Sequence, residues 1–292
     1  MDKIIKFKIN GVFDGKTVKQ ILCANGFSST IVRRMKRTEN GIMLNGESVH
    51  TDRRVRGGDE LEVTVSDKPS ENIVPKAIPI DIIYEDDDIL AVNKPRAMPT
   101  HPSHNHHEDT LANGIMYYYG ESDFTFRAVM RLDADTSGIV LIAKNAFAAR
   151  ILNDDMKNKR IHKEYVAVVN GVPIPRKGRI SVPIKRFKNS VILRCAAPDG
   201  KESVTDYEVE KTVNGMSFVR LFPLTGRTHQ LRVHMSHIGA PIYGDDLYGA
   251  PQIGERTRLH CRKIIFRHPM MHKETVIEAA VPNDITDLIC GG

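Results

Sequence analysis

The segment Arg131-Leu132-Asp133-Ala134-Asp135-Thr136-Ser137-Gly138 leads directly into the apolar run Ile139-Val140-Leu141-Ile142-Ala143, so a polar turn bearing a carboxylate feeds a buried strand. An aspartate in that place has two uses. Its side chain can cap the turn, or it can stand ionised as a nucleophile or general base. Four other segments carry groups that bear on the choice. The first is Tyr84-Glu85-Asp86 with Ile89-Leu90-Ala91-Val92-Asn93-Lys94-Pro95, ending in Pro99-Thr100-His101-Pro102-Ser103. The second is Lys163-Glu164-Tyr165-Val166-Ala167-Val168-Val169-Asn170-Gly171. The third is Leu224-Thr225-Gly226-Arg227-Thr228-His229-Gln230-Leu231-Arg232-Val233-His234, with Pro241, Gly244 and Asp245 downstream, and the last is Leu259-His260, then Ile264-Ile265-Phe266 and His268-Pro269.

A carboxylate enclosed in a pocket tends to take up a proton, and a guanidinium beside it holds it charged. Arg232 is placed for this. Leu231, Met235 and Ile238 recur at i, i+4 and i+7 on the helix after Gly226, which sets Arg232 at the edge of the buried face. Tyr165 alternates with Ala167 and Val169 on a strand; such a residue is either ordinary core or an aromatic face with a phenolic oxygen. Lys94 and Arg227 read as phosphate or active-site contacts or as plain surface charges, and Leu259 as packing at a strand start. His101, His104, His106 and His107 form a histidine tract with no cysteine nearby to complete a zinc site, so no metal is expected. No Walker or dinucleotide fingerprint is present, so no nucleotide cofactor is expected.

The elements that must position these groups fall into two parts. In the first, Ile5, Phe7 and Ile9 alternate with Lys6 and Lys8 as in a half-exposed strand. Thr17 can cap a helix with Val18, Ile21 and Leu22 on one face and Gly26 at its end; Ser28 or Ser29 starts another. In that second helix Ile31, Val32 and Met35 face inward and Arg33, Arg34, Lys36 and Arg37 outward. Asn45-Gly46 predicts a two-residue hairpin turn, and Leu61, Val63 and Val65 a further strand. Prolines at 69, 75 and 79 then mark residues 67–79 as a linker between a module at 1–66 and a larger domain at 80–292. In the larger domain the periodicity predicts strands at 80–84, 89–93, 138–143, 165–169, 191–194, 204–210, 218–222, 264–266 and 276–280, and helices at 110–119, 146–156 and 228–237. Hairpin signals such as Val213-Asn214-Gly215 outnumber strand-helix-strand crossovers, so the fold class is α+β with a central mixed, largely antiparallel sheet.

Helices packed on a hairpin, with cations on one helix, resemble the RNA-binding module named after ribosomal protein S-four over residues 17–65. Arg53, Arg54 and Arg56 lie near the next turn, so one face could present two groups of cations to phosphates. The five ordered motifs closely resemble the RluA-type pseudouridine synthases, from about Ile80 to Pro282. These enzymes break the N1–C1′ bond of a uridine in RNA, turn the uracil and join C5 to the same sugar carbon. The resemblance implies that Asp133 is the carboxylate at the sugar, attacking a carbon or removing the C2′ proton, and that Arg232 pairs with it. It implies that Tyr165 lies against the uracil and helps remove the C5 proton, that Leu259 closes the pocket, and that no cofactor is used. Arg131 is placed to hold the flipped nucleotide's site or its phosphate, with Lys94 and Arg227 beside it. Two residues depart from the family pattern. Met130 stands where histidine is common, and Ala97 where glycine is usual. Neither removes a group that the chemistry needs.

The chain's 292 residues carry a net charge of +6, with 42 Lys and Arg against 36 Asp and Glu, which suits a polyanionic partner. RNA is the expected partner, ribosomal in preference to transfer RNA because of the N-terminal module, and a monomer the expected state. Met1-Asp2-Lys3-Ile4 begins no signal-peptide core and no apolar run is long enough to span a membrane, so the expected location is the cytoplasm. Cys23, Cys195, Cys261 and Cys290 form no Cys-x-x-Cys pair and read as reduced, incidental thiols. A silent RNA-binding factor would not need Asp133, Arg232 and Tyr165 together, and a hydrolase using Asp133 with Asp135 finds no second pocket carboxylate in the motifs.

Overall fold

Thr17 and Gln20 close a reciprocal capping box, the Thr17 hydroxyl accepting from the Gln20 amide and the Gln20 side chain from that of Thr17, and this starts α1 (Val18–Ala24). The Ser28 hydroxyl accepts from the Ile31 amide and so caps α2 (Ser29–Met35). The computed structural model describes residues 2–67, 70, 72–120, 124–249 and 256–290. The two short helices cover one face of a four-stranded sheet in the order β1 (Lys3–Lys8), β4 (Glu60–Val65), β2 (Ile42–Leu44), β3 (Glu47–Ser48). Asn45 and Gly46 both adopt positive φ, 54° and 82°, as the two-residue hairpin turn requires. Ile5, Ile21, Leu22, Val32, Met35, Leu61 and Val63 make the core of this part.

The remaining elements are β5 (Ile82–Glu85), β6 (Ile89–Lys94), α3 (Leu111–Tyr119), β7 (Ser137–Ala143), α4 (Ala146–Lys157), β8 (His162–Asn170), β9 (Lys177–Ser181), β10 (Ile184–Arg186), β11 (Arg194–Ala196), β12 (Val204–Val213), β13 (Met216–Pro223), α5 (Gln230–His237), β14 (Leu259–Arg267), β15 (Glu274–Glu278) and α6 (Asn283–Cys290). The main sheet runs β5-β6-β7-β14-β8-β13-β12-β9, with β15 also on β14. Every pairing in it is antiparallel except β7 with β14, so the expected mixed α+β architecture is the observed one. Strand β7 is buried along its whole length because it lies inside the sheet with both faces covered, which explains its unbroken apolar run. Gly138 sits at φ 110° where a Cβ would meet the Cys261 carbonyl oxygen at 2.2 Å, so only glycine lets β7 approach β14 at the mouth of the site.

The sequence periodicity predicts neither β9 and β10 nor α6, and one expected strand lies elsewhere. The strand expected at 191–194 is displaced: Ser190 takes the amides of Ile192 and Leu193 onto its hydroxyl and bends the chain, and the strand forms at Arg194–Ala196. Of the expected linker, residues 68, 69 and 71 lie outside the described residues, and the part about Val74 and Lys76 is bonded to α3. Lys76 donates its amide to the Asn113 carbonyl, and the Asn113 side chain donates to that of Val74 at 2.7 Å. The N-terminal part also docks on the larger one, with the Phe27 ring 4.3 Å from that of Phe147 on α4. Beside it the buried Asp67 carboxylate lies 2.7 Å from Arg127 and 3.1 Å from Arg34 and accepts the Ala146 amide; burial nonetheless pushes its pKa up.

Candidate active site

Asp133 lies on a tight turn at the entrance to β7, and the turn is closed by the backbone, the Thr136 amide donating to the Asp133 carbonyl at 3.1 Å. Its side chain caps nothing. Among the described residues the carboxylate has no hydrogen bond or ion pair, and it faces a cavity of about 450 Å³. The chain on either side is clamped. The buried Thr100 hydroxyl donates to the Leu132 carbonyl at 2.9 Å and accepts the Leu132 amide at 3.2 Å. On the other side the Lys94 ammonium donates to the Ala134 carbonyl at 3.2 Å and to those of Pro95 and Met98 at 2.8 Å each. The loop after β6 thus holds the aspartate in place without neutralising it.

Tyr165 and Leu259 line the same cavity from neighbouring strands, β8 and β14, and Arg131, Arg227 and Arg232 also border it. Tyr165 sits opposite Cys261 in the β8–β14 register. Burial, with a hydrogen bond to the Cys261 thiol, raises its pKa well above the ordinary phenol value, so the hydroxyl is protonated at neutral pH. Arg232 is wholly buried, not at the edge of its helix. The reason is that α5 enters the core with Val233, His234 and Met235 buried as well as Leu231. Its guanidinium grips Asp245 with two bonds of 2.8 and 2.6 Å and lies 3.5 Å from Asp135. Asp133 acts on it only as a more distant charge. Burial works against the Arg232 cation, and the Asp245 bonds together with the fields of Asp245, Asp135 and Asp133 outweigh it, so its pKa is raised.

A carboxylate without a partner among the described residues, a buried guanidinium and a phenol thus border one cavity. The family model described as RNA pseudouridylate synthase matches residues 88–237, a span that takes in Asp133, Tyr165 and Arg232. The chain belongs to that family. Among curated proteins it is 38% identical over 280 residues to an uncharacterised RNA pseudouridine synthase, YjbO, of Bacillus subtilis, covering 94% of this chain and 99% of that one. It is 34% identical over 269 residues to ribosomal large subunit pseudouridine synthase D of Yersinia pestis, covering 86% and 82%. Among solved structures it is similar to human RNA pseudouridylate synthase domain containing 1, with a TM-score of 0.58, 29% identity, and 70% and 84% of the two chains covered. The protein is therefore an enzyme that isomerises uridine in RNA to pseudouridine.

Several residues of the synthase sit otherwise than its sequence suggests. Lys94 is no phosphate contact: it is completely buried, burial holds its pKa down at about 7, and its protons go to carbonyls around Asp133. Arg227 stays at the cavity rim, its Nε donating to the Glu202 carbonyl at 3.1 Å, and Arg131 is exposed there. On the N-terminal part Arg33, Lys36 and Arg37 are exposed, whereas Arg34 is committed to Asp67 and to the Ser66 carbonyl. Ala97 adopts φ 56°, in the left-handed region that glycine enters without strain, and this strains the loop by on the order of 1 kcal/mol. Met130 is buried in the cavity wall.

Other residues had drawn no role from the sequence. Asp245 takes the fork of Arg232, and His229, the left-handed residue before α5, points Nδ1 at the Tyr248 hydroxyl 2.7 Å away. Lys163 lines the cavity two residues before Tyr165. Their common signal was position inside an ordered motif, but type alone left them unassigned. In the histidine tract, His101 packs edge-on against Phe126 and His106 bonds Asp109 at 2.6 Å. The described residues that could group around a metal are instead Asp86, Asp88 and His268. Asp86 already accepts from Tyr84, His268 and two backbone amides, and Asp88 is paired with Lys3 and Asn145. We expect tritium release from uracil C5 to be unchanged by excess EDTA; loss of activity restored by zinc would show a metal requirement.

Proposed function

We propose that the synthase acts on ribosomal RNA in the cytoplasm as a monomer, with Asp133 as the carboxylate at the sugar of a flipped-out uridine. The observation that carries the assignment is that Asp133 is rigidly held yet uncapped, its neighbours clamped by Thr100 and Lys94 while its own oxygens face the cavity. By nucleophilic attack or by removal of the C2′ proton, the carboxylate must be ionised, and Arg232 with its own counter-ions supplies a fixed positive field. Tyr165 presents its ring to the uracil. Its phenolic oxygen helps to remove the C5 proton, and because burial keeps the hydroxyl protonated its own proton must pass on in the same step. Leu259 closes the pocket beside it, and Arg131 and Arg227 at the rim hold the phosphates or fill the stack left by the base.

Ribosomal RNA is favoured by the name of the Yersinia relative and by the cationic N-terminal part, whose Arg33, Lys36 and Arg37 are exposed. Transfer RNA is the alternative. Mapping pseudouridines in ribosomal and transfer RNA from cells with and without the gene decides it: a uridine left unmodified in ribosomal RNA supports this reading, and one found only in transfer RNA overturns it. Replacing Arg33, Lys36 and Arg37 together with Gln should weaken RNA binding and lower the salt slope by roughly three, about one for each phosphate that is no longer neutralised. An unchanged slope would mean that this face contributes no affinity.

A further inference from the structure

Lys163 is the pocket cation whose position asks for a ligand. It lines the cavity with Asp133 and Tyr165, and burial lowers its pKa, yet among the described residues it has neither a hydrogen bond nor an ion pair. Lys94 shows the contrast: that buried ammonium has three carbonyls. The charged neighbours of Lys163 give it no counter-ion. Glu164 is the next residue along β8, where alternation turns it to the other face, and it lies 3.6 Å from Arg262. The Cys261 thiol is pushed up to about 12 by burial and is neutral at physiological pH. Holding a half-buried cation unpaired carries a desolvation cost that a bound group with a negative end would offset.

The position of Lys163 says what that is. Tyr165 pairs with Cys261, which lies beside Gly138 at the entrance to β7, whereas Lys163 pairs with Ile264, three residues further along β14 in the direction in which β7 runs away from the Asp133 turn. Lys163 therefore lies on the far side of Tyr165 from Asp133, two residues or about 7 Å along the strand. A uridine with its sugar at Asp133 and its base on Tyr165 directs the far edge of the uracil at Lys163. That edge bears O4, since C4 lies across the ring from N1. When the uracil turns to bring C5 to the sugar, the ring atom opposite C5 is C2, and O2 takes the same place.

The geometry points to Lys163 as a further catalytic residue, its ammonium donating a hydrogen bond to the far carbonyl oxygen of the uracil and stabilising the uracil anion in both orientations. The inference rests on the assignment of Asp133 and Tyr165 to the reacting uridine. Breaking the N1–C1′ bond leaves its electron pair on the base, spread over N1, O2 and O4. Forming the C5–C1′ bond uses electrons of that anion, C5 loses its proton, and N1 gains one from solvent. Lys163 keeps its proton throughout.

The test is Lys163→Met, with Lys163→Arg as the cation-retaining variant and Asp133→Asn as control, each in single turnover on RNA containing uridine or 5-fluorouridine at the target. Fluorine stabilises the uracil anion, so it substitutes in part for the lost cation. We expect Lys163→Met to slow consumption of uridine by about 100-fold, with this defect shrinking to about 10-fold on 5-fluorouridine, as for removal of one donor from a developing anion. Lys163→Arg should retain more activity than the Met variant, and RNA affinity and salt slope should not move. An equal defect on both RNAs, or no defect, overturns the inference; so does weaker binding with a smaller salt slope, which would make Lys163 a phosphate contact. Removing an unpaired, half-buried cation should leave the unfolding temperature at or above that of the wild type, so misfolding is checked on the same sample. An active Asp133→Asn control would refute the underlying site assignment, while an inactive one with an active Lys163→Met would refute this inference alone.

Discussion

Asp133→Asn should abolish tritium release from RNA labelled at uracil C5, leave RNA affinity near that of the wild type and shift the unfolding temperature by no more than about 2 °C. Asn keeps the size and removes the charge. The turn does not depend on the side chain, since the bond that closes it runs from the Thr136 amide to the Asp133 carbonyl, and Thr100 and Lys94 hold the adjoining carbonyls. No bond made by the carboxylate is lost, for it makes none among the described residues. What disappears is an anion that can act at the sugar without first breaking an ion pair. Asp135, although nearby, is engaged at 3.5 Å with Arg232. Release by the Asn variant at more than about a hundredth of the wild-type rate would mean that Asp133 serves only the turn, because an essential nucleophile or base contributes several orders of magnitude. Loss of release accompanied by loss of binding would point to a displaced loop, which Thr100→Val, breaking the Leu132 clamp, should then reproduce.

What the sequence revealed and what it hid follow from the range of the interactions. The capping box of α1, the Asn45-Gly46 hairpin and the buried β7 were legible because each is written in adjacent residues: Thr17 with Gln20, positive φ at Asn45 and Gly46, an unbroken apolar run after Gly138. The presence of Asp133, Tyr165 and Arg232 at one cavity was legible only as an implication of resemblance, since strands β7 and β8 and helix α5 meet through sheet order that no local pattern encodes. The partners were not legible. A lysine reads as surface, yet Lys94 is buried because three carbonyls of a folded loop and of the Asp133 turn converge on it. Arg232 read as the mate of Asp133 because helix periodicity placed it at an edge, whereas the turn after Ile242 carries Asp245 back beneath α5. The docking of the N-terminal part was hidden in the same way: Phe27 and Phe147 are each unremarkable until their rings meet.

Arg232→Met should unfold the synthase at a temperature lower by roughly 10 °C, following a loss of about 3–5 kcal/mol from stranding a buried carboxylate. Asp245 is completely buried; without Arg232 its remaining donors are the Leu247 and Tyr248 amides, and it either stays charged unpaired or takes up a proton. The double variant Arg232→Met, Asp245→Leu removes both charges and should recover most of the stability, since an apolar pair replaces a buried ion pair at little net cost. Activity should part company with stability. In both variants the positive field that lies 3.5 Å from Asp135 and acts on Asp133 is gone, so tritium release should fall at least about 100-fold in each, with RNA binding retained by the stable double variant. If the double variant regains activity along with its melting temperature, Arg232 serves the fold alone and the charge beside Asp133 must come from elsewhere. If instead the single variant is as stable as the wild type, the Asp245 pairing carries no weight in the folded protein, and Arg232 is free to turn to Asp133 as resemblance to the family implied. Thermal unfolding and tritium release on the two variants therefore separate an arginine that builds the pocket from one that also holds the reacting carboxylate ionised.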